Sequence, residues 1–211
     1  VTSGRSTGTP GAIAMLGLAH ERYGKLPWRD LFGYAEHAAT TGFAVPQRLA
    51  RFAGGDFPQA QLADAKALFS RPDGTPVHAG DVLRNPAYAE TLRTVAERGP
   101  RALLEGELAA SIATRLQAEP RPGTMTTQDL ADYRPKEGQP ICRPYRIYVI
   151  CVPPPPSSGV ALLQVMGLLE RTDIATRGPD DPQAWFLFAE ALRLMYADRD
   201  RYVADPAFVQ V

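Results

Sequence analysis

The sequence is poor in the residues that staple or ligate. It holds two cysteines and three histidines in 211 residues. Two cysteines do not make a disulfide framework, and histidines at positions 20, 37 and 78 are too scattered to suggest a metal-binding run. An excess of one charge is also missing. The 23 basic residues are balanced by 23 acidic ones, so no face is strongly basic without an equally acidic one elsewhere, and nucleic acid is not an expected partner. There is no run of about 18 apolar residues, so no membrane segment is expected. The chain opens on Val1 with no charged-then-apolar leader, which fits either a removed leader or an internal piece. No internal repeat is visible.

What is present is a chain able to build a core, with 45% hydrophobic residues. After a Gly/Ser/Thr-rich opening, apolar residues at Ile13, Leu16, Leu18, Ala19 and Tyr23 follow a helical period that Gly24 stops. Pro27-Trp28 opens a second helix with Leu31, Tyr34, Ala35 and Ala38 on its expected buried face, capped by Gly42. A third short helix is expected over 46–53, a tight turn at Asp73-Gly74, helices over 86–98 and 101–117, and a linker over 119–123. Thr126 or Thr127 caps a short helix ending near Tyr133.

The character changes after Gly138. Residues 145–152 are β-branched and aromatic, with both faces largely apolar, and predict a strand buried on both sides. The hairpin turn is expected at Arg143-Pro144. That places Cys142 beside the turn and Cys151 at the far end of the strand, so no bond between them is expected. The prolines at 153–156 end the ladder. Ser157 and Ser158 cap a helix over 159–170, and a last helix runs over 182–203 with Trp185, Phe186 and Phe188 as core. A lone hairpin is marginal in water, so its partner strands are expected elsewhere. The fold class is therefore α+β, mostly helical with one short β-hairpin. The division is a mainly helical region, 1–134, and a region of hairpin, turn and two helices, 135–211.

Several residues carry a chemical and a structural reading together. Gly8 to Gly11 is a plain turn rather than an anion nest, for no lysine or strand–helix context supports a phosphate loop. Ser157 lacks a nucleophile elbow and a nearby histidine, which favours helix capping over nucleophilic catalysis. His20 and His37 are helical and structural. The carboxylates Glu190, Asp198, Asp200 and Asp205 alternate with Arg193, Arg199 and Arg201. That pattern favours ion pairs, Glu190 with Arg193 and Asp198 with Arg201, over an acid/base pair.

The string Ala197-Asp198-Arg199-Asp200-Arg201-Tyr202-Val203-Ala204-Asp205-Pro206-Ala207-Phe208-Val209 resembles the ADRxRYxxDPxFV signature of gamma-glutamyltranspeptidases. Further segments match the same family in the same order. They are Gly8-Thr9-Pro10-Gly11, Arg22-Tyr23-Gly24-Lys25-Leu26-Pro27-Trp28, Gly42-Phe43-Ala44-Val45, Met125-Thr126-Thr127-Gln128-Asp129-Leu130-Ala131-Asp132-Tyr133, and Tyr145-Arg146 through Pro154-Pro155-Pro156-Ser157-Ser158-Gly159. Departures are Val160 after Gly159, Ala102-Leu103-Leu104-Glu105-Gly106 where FYxG is common, and Ile147 in place of a glycine.

The resemblance implies the middle-to-late part of the large subunit of a self-processing N-terminal nucleophile hydrolase with an αββα sandwich. In that family a threonine opening the small subunit attacks a gamma-glutamyl amide such as glutathione, and the acyl group passes to water or an amino acid. No residue of this chain matches that threonine or the arginine that holds the substrate's α-carboxylate, so no catalytic residue is assigned and the segment alone is expected to be inactive. Ser157, Ser158 and Gly159 are the candidate floor of the active site. No metal or organic cofactor is implied. The implied partners are the small subunit and a gamma-glutamyl substrate, and the implied location is periplasmic or secreted. Two other readings stand beside this one: a related amidase of the cephalosporin acylase or poly-gamma-glutamate depolymerase type, and a non-catalytic helical binding module.

Overall fold

The computed structural model describes residues 3–119 and 121–210; Pro120, inside the expected linker, lies outside them. The chain separates into two compact units, 1–136 and 137–211.

The first unit is helical. Helix α1 spans Ala12–Tyr23, and a 3-10 turn over Trp28–Phe32 leads into α2, Gly33–Thr41. Then come β1 (Phe43–Ala44), α3 (Gln47–Ala53), α4 (Ala63–Phe69), β2 (Val82–Leu83), α5 (Pro86–Arg98), α6 (Gly106–Leu116) and α7 (Thr127–Asp132). Strands β1 and β2 pair antiparallel, Phe43 with Leu83 and Ala44 with Val82. Two residues each are too few to show alternation, so this second ladder left no sequence signal. Helix α5 starts where Asn85 accepts from the Tyr88 N–H, with Pro86 in its first turn. Helix α7 carries a full capping box: the Thr126 side chain accepts from the Asp129 N–H and the Asp129 carboxylate accepts from the Thr126 N–H.

Three small clusters hold this unit together. Ala14, Leu104, Ala109, Ala113 and Leu130 form one; Ala39, Ala89 and Leu92 another; Val45, Val77 and Leu83 a third. The phase of two helices differs from expectation. Helix α1 turns Ala14 and Gly17 inward, and an added Cβ on Gly17 would lie 2.3 Å from Pro100. On α2 the buried residue is Ala39, while Tyr34 is 94% exposed. Leu31 lies in the 3-10 turn rather than in α2, so it does not share the helical period of Tyr34, Ala35 and Ala38. Likewise α6 begins at Gly106 rather than 101. Arg101 leaves the helix to donate to the carbonyls of Ala131 and Tyr133 at 2.7 and 3.2 Å.

The second unit comprises β3 (Ile141–Tyr145), β4 (Tyr148–Val152), α8 (Gly159–Leu169) and α9 (Pro182–Tyr202). Its core is the α8–α9 contact: Ala161, Val165, Ala191 and Met195. The hairpin register corrects the sequence reading. Pro144 lies inside β3, opposite Val149, and the turn is Arg146-Ile147. A proline is tolerated there because a strand of a two-stranded ladder always has an open edge. Arg146 takes a left-handed φ of 53°, and its N–H donates to the Glu170 carboxylate at 2.9 Å. The shifted register sets Cys142 directly across from Cys151, with 4.1 Å between their Cα atoms, and the two form a disulfide.

The expected burial of β4 on both faces is not met within this chain. Val152 is buried, but Ile147, Tyr148 and Val149 are 87%, 62% and 68% exposed. Trp185, Phe186 and Phe188, expected as core, also lie at the surface; Trp185 donates its Nε1–H to the Pro179 carbonyl at 2.7 Å.

Candidate functional site

The Ser157-Ser158-Gly159 turn is built by the strand before it and the helix after it. Strand β4 ends at Val152, and prolines 153–156 supply no N–H to continue a ladder. The Ser157 N–H donates to the Pro154 carbonyl at 3.1 Å, and the Ser158 carbonyl accepts from the Leu162 N–H at 3.3 Å as α8 begins. Glycine is required at 159 by close approach. A Cβ there would stand 2.4 Å from the Pro153 carbonyl oxygen and 2.7 Å from the Val152 Cβ. Ser158 occupies the N-cap position, yet its hydroxyl makes no capping hydrogen bond. Both serine side chains are exposed to solvent while Gly159 is buried.

No histidine falls in the unit that carries these hydroxyls, since all three lie within residues 1–136. His20 is fully accounted for. Its Nε2–H donates to the Leu26 carbonyl at 2.8 Å and its ring meets Trp28 edge-on at 5.4 Å. Gly24 leaves room for that ring, because a Cβ would lie 2.4 Å from it. Trp28 in turn donates Nε1–H to the Val95 carbonyl at 3.0 Å. The Arg22-to-Trp28 motif is thus a latch between the end of α1 and α5. Among the described residues no group of three or more His, Cys, Asp or Glu side chains converges to hold a metal ion, and no helix is long and apolar enough to cross a membrane.

Of the two ion pairs expected on α9, Glu190 with Arg193 forms and Asp198 with Arg201 does not. Glu190 accepts from Arg193 at 2.7 Å, which lowers the carboxyl's pKa through that hydrogen bond. Asp198 instead accepts from the amide of Gln164 on α8, and Arg201 lies over the Tyr202 ring. Arg199 pairs with Asp200 at 2.9 Å. Asp205 accepts from the Ala207 N–H at 2.9 Å and its carbonyl from the Phe208 N–H at 3.0 Å, which closes the turn at Pro206.

Sequence reasoning missed an open groove of about 790 Å³ in the second unit, bounded by Ile141 and Tyr145 on β3, Leu163 and Gln164 on α8, and Asp198 and Tyr202 on α9. Two residues of the ADRDRY string thus border one groove with a helix some 35 positions earlier in the chain. Ser157, Ser158 and Gly159 do not line it. The groove also carries the phenols of Tyr145 and Tyr202, the guanidiniums of Arg143 and Arg171 and the carboxylates of Glu170 and Asp198; Glu170 accepts from the Arg146 N–H and Asp198 from the Gln164 amide.

Comparison with known proteins gives one consistent answer. The sequence profile described as Gamma-glutamyltranspeptidase matches residues 1–211. The chain is 35% identical over 216 residues to the glutathione hydrolase proenzyme of Escherichia coli, which covers all of this chain and 36% of that protein. It is also 35% identical over 212 residues to the acylase ACY 1 proenzyme of a Pseudomonas species, covering all of this chain and 38% of the relative. The crystal structure of Helicobacter pylori gamma-glutamyltranspeptidase superposes with a TM-score of 0.86 at 29% identity, over 99% of this chain and 60% of that one. The chain spans little more than a third of the curated relatives it matches. It belongs to the gamma-glutamyltranspeptidase family.

Proposed function

We propose that these 211 residues are the middle-to-late part of the large subunit of an enzyme that cleaves gamma-glutamyl amides such as glutathione and transfers the gamma-glutamyl group to water or an amino acid. The observation that carries the reading is the match of the whole chain to a family whose relatives include proenzymes. The nucleophilic threonine and its free amine, which acts as the base, belong to a small subunit released from the same precursor. The large-subunit residues seen here then serve as scaffold. The Ser157-Ser158-Gly159 turn forms part of the floor on which the gamma-glutamyl group rests, and its exposed hydroxyls and the tight Gly159 contact support that role. The exposed apolar residues at 147–149 and on α9 fit a surface that the rest of the enzyme covers, and they weigh against a self-contained binding module. A periplasmic or secreted location is supported by the Cys142–Cys151 bond, for disulfides persist in oxidising compartments.

A second reading keeps the fold and changes the substrate. It rests on the acylase relative, which is as similar to this chain as the glutathione hydrolase is. Assaying the full-length protein on a gamma-glutamyl anilide and on glutaryl-cephalosporanate separates the two. The leading reading expects turnover of the anilide with little of the cephalosporin. Preference for the cephalosporin overturns it in favour of the acylase, and turnover of neither overturns both.

A further inference from the structure

Strand β3 meets β4 through the two-residue turn Arg146-Ile147, and the register fixes which backbone groups face inward. Opposite residues of an antiparallel pair alternate between hydrogen-bonded pairs, with Cα atoms about 5.5 Å apart, and non-hydrogen-bonded pairs, about 4.5 Å apart. Cys142 and Cys151 stand at 4.1 Å and are of the second kind. Two steps along, Pro144 and Val149 are of the same kind. The backbone polar groups of these four residues therefore point away from the ladder, to its two outer edges.

The two edges are not equivalent. On β3 the outward positions are Cys142 and Pro144, and Pro140 precedes them at the same spacing. Proline has no N–H, and its ring fills the place where a neighbouring strand would accept from one. A strand laid along β3 would find Cys142 alone between two prolines. On β4 the outward positions are Val149 and Cys151, each with its N–H and C=O, before Pro153 ends the run. Among the described residues no backbone bond from beyond the hairpin reaches either of them. Both faces of β4 are apolar, with Tyr148, Ile150 and Val152 on one and Val149 and Cys151 on the other. An apolar strand edge left open is a template for further pairing.

We propose that the outer edge of β4 is an interaction surface for one extended strand, contributed by the part of the same polypeptide outside these 211 residues, and that β3 forms the margin of the resulting sheet. The strand bonds to the N–H and C=O groups of Val149 and Cys151 and is apolar on both faces, as β4 is. This chain covers 36% of the Escherichia coli relative, so most of a protein of that length lies outside it. A strand in the same polypeptide is held at an effective concentration in about the millimolar range, well above that of a second copy. The inference rests on the reading of these residues as one part of a larger enzyme. It adds which edge the rest of that enzyme joins.

The test is amide hydrogen exchange of the full-length protein at residue resolution, read by mass spectrometry with the disulfide reduced after quenching. Ile150, bonded inside the hairpin, is the reference. Val149 and Cys151 are expected to exchange within about tenfold of Ile150, and Cys142 at least about a hundredfold faster. Val149 and Cys151 exchanging as fast as Cys142 overturns the proposal, since no strand then lies on β4. Protection of Cys142 equal to that of Ile150 also overturns it, since β3 is then inside the sheet and not its margin. Protection at Val149 and Cys151 that fades on dilution overturns the choice of occupant in favour of a second copy. Turnover of a gamma-glutamyl anilide is measured on the same sample. Turnover with an unprotected β4 edge refutes this inference alone, and protection without turnover refutes the proposed activity alone.

Discussion

Helix α8 contains two glycines for which the structure predicts opposite outcomes. At Gly159 an alanine Cβ would sit 2.4 Å from the Pro153 carbonyl oxygen and 2.7 and 2.9 Å from the Val152 side chain. The nearest atom is backbone and cannot rotate away, and Val152 is buried, so β4 and α8 must move apart. Forcing a methyl into a packed contact of this kind costs roughly 1–3 kcal/mol. Against that stands the usual gain from replacing glycine in a helix, about 0.5–1 kcal/mol, and it is smallest at a helix end. The clash wins, and Gly159→Ala destabilises. At Gly167, in the same helix, nothing lies within 4 Å of an added Cβ, so Gly167→Ala gains the helical term alone, about 0.5–1 kcal/mol. Equilibrium urea unfolding of the full-length protein, followed by circular dichroism, measures both. A shift of the same sign for the two variants would refute the packing argument, because helix propensity alone would then explain the data. Gly159→Ala is also expected to lower turnover more than Gly167→Ala, since only the former moves the serine turn.

Other sites are equally open to test. Leu130 is fully buried among Ala14, Leu104, Ala109 and Ala113, so Leu130→Ala loses about 2–5 kcal/mol in the same unfolding assay; a loss below 1 kcal/mol would contradict the assigned core. Trp28→Phe keeps the ring stack but removes the Nε1–H donated to Val95, and about 1 kcal/mol of stability goes with it. The hydrogen bonds from Arg71, and then from the His78 N–H, hold the Asp81 carboxyl well below the usual carboxylate range. A depressed folded-state pKa gives stability that is complete above the unfolded pKa near 4 and is lost as pH falls through the folded value. The stability gap between wild type and Asp81→Asn is therefore flat from neutral pH to about 5 and narrows below about 4. A gap that does not vary with pH would place the role of Asp81 elsewhere.

Helix ends were legible in the sequence because they are local chemistry. Gly24 stopping α1, Pro86 opening α5 and a threonine at 126 or 127 opening α7 each act within a turn of the helix end they set. Helix phase was not legible. Tyr34 and Trp185 share the period of a buried stripe and are exposed, for apolar spacing says that a face is to be covered without saying by what. Pro144 has the look of a turn residue in the sequence, although an open strand edge accommodates it, and the disulfide is hidden with the register, since a slip moves every cross-strand pair. Of the candidate site, the Ser157-Ser158-Gly159 turn stood out as a run of residues. The groove did not, because Ile141, Gln164 and Asp198 are brought together only by tertiary packing.

The central claim joins the chain's membership of the gamma-glutamyltranspeptidase family to the proposal that the reacting groups lie outside these 211 residues. Hydrolysis of a gamma-glutamyl anilide by the highly purified 211-residue chain, beside the full-length protein, tests it most directly. The account predicts release of the anilide product by the full-length protein and none above background by the chain alone. Turnover by the isolated chain, with no second polypeptide present, would contradict it and place a nucleophile among these 211 residues.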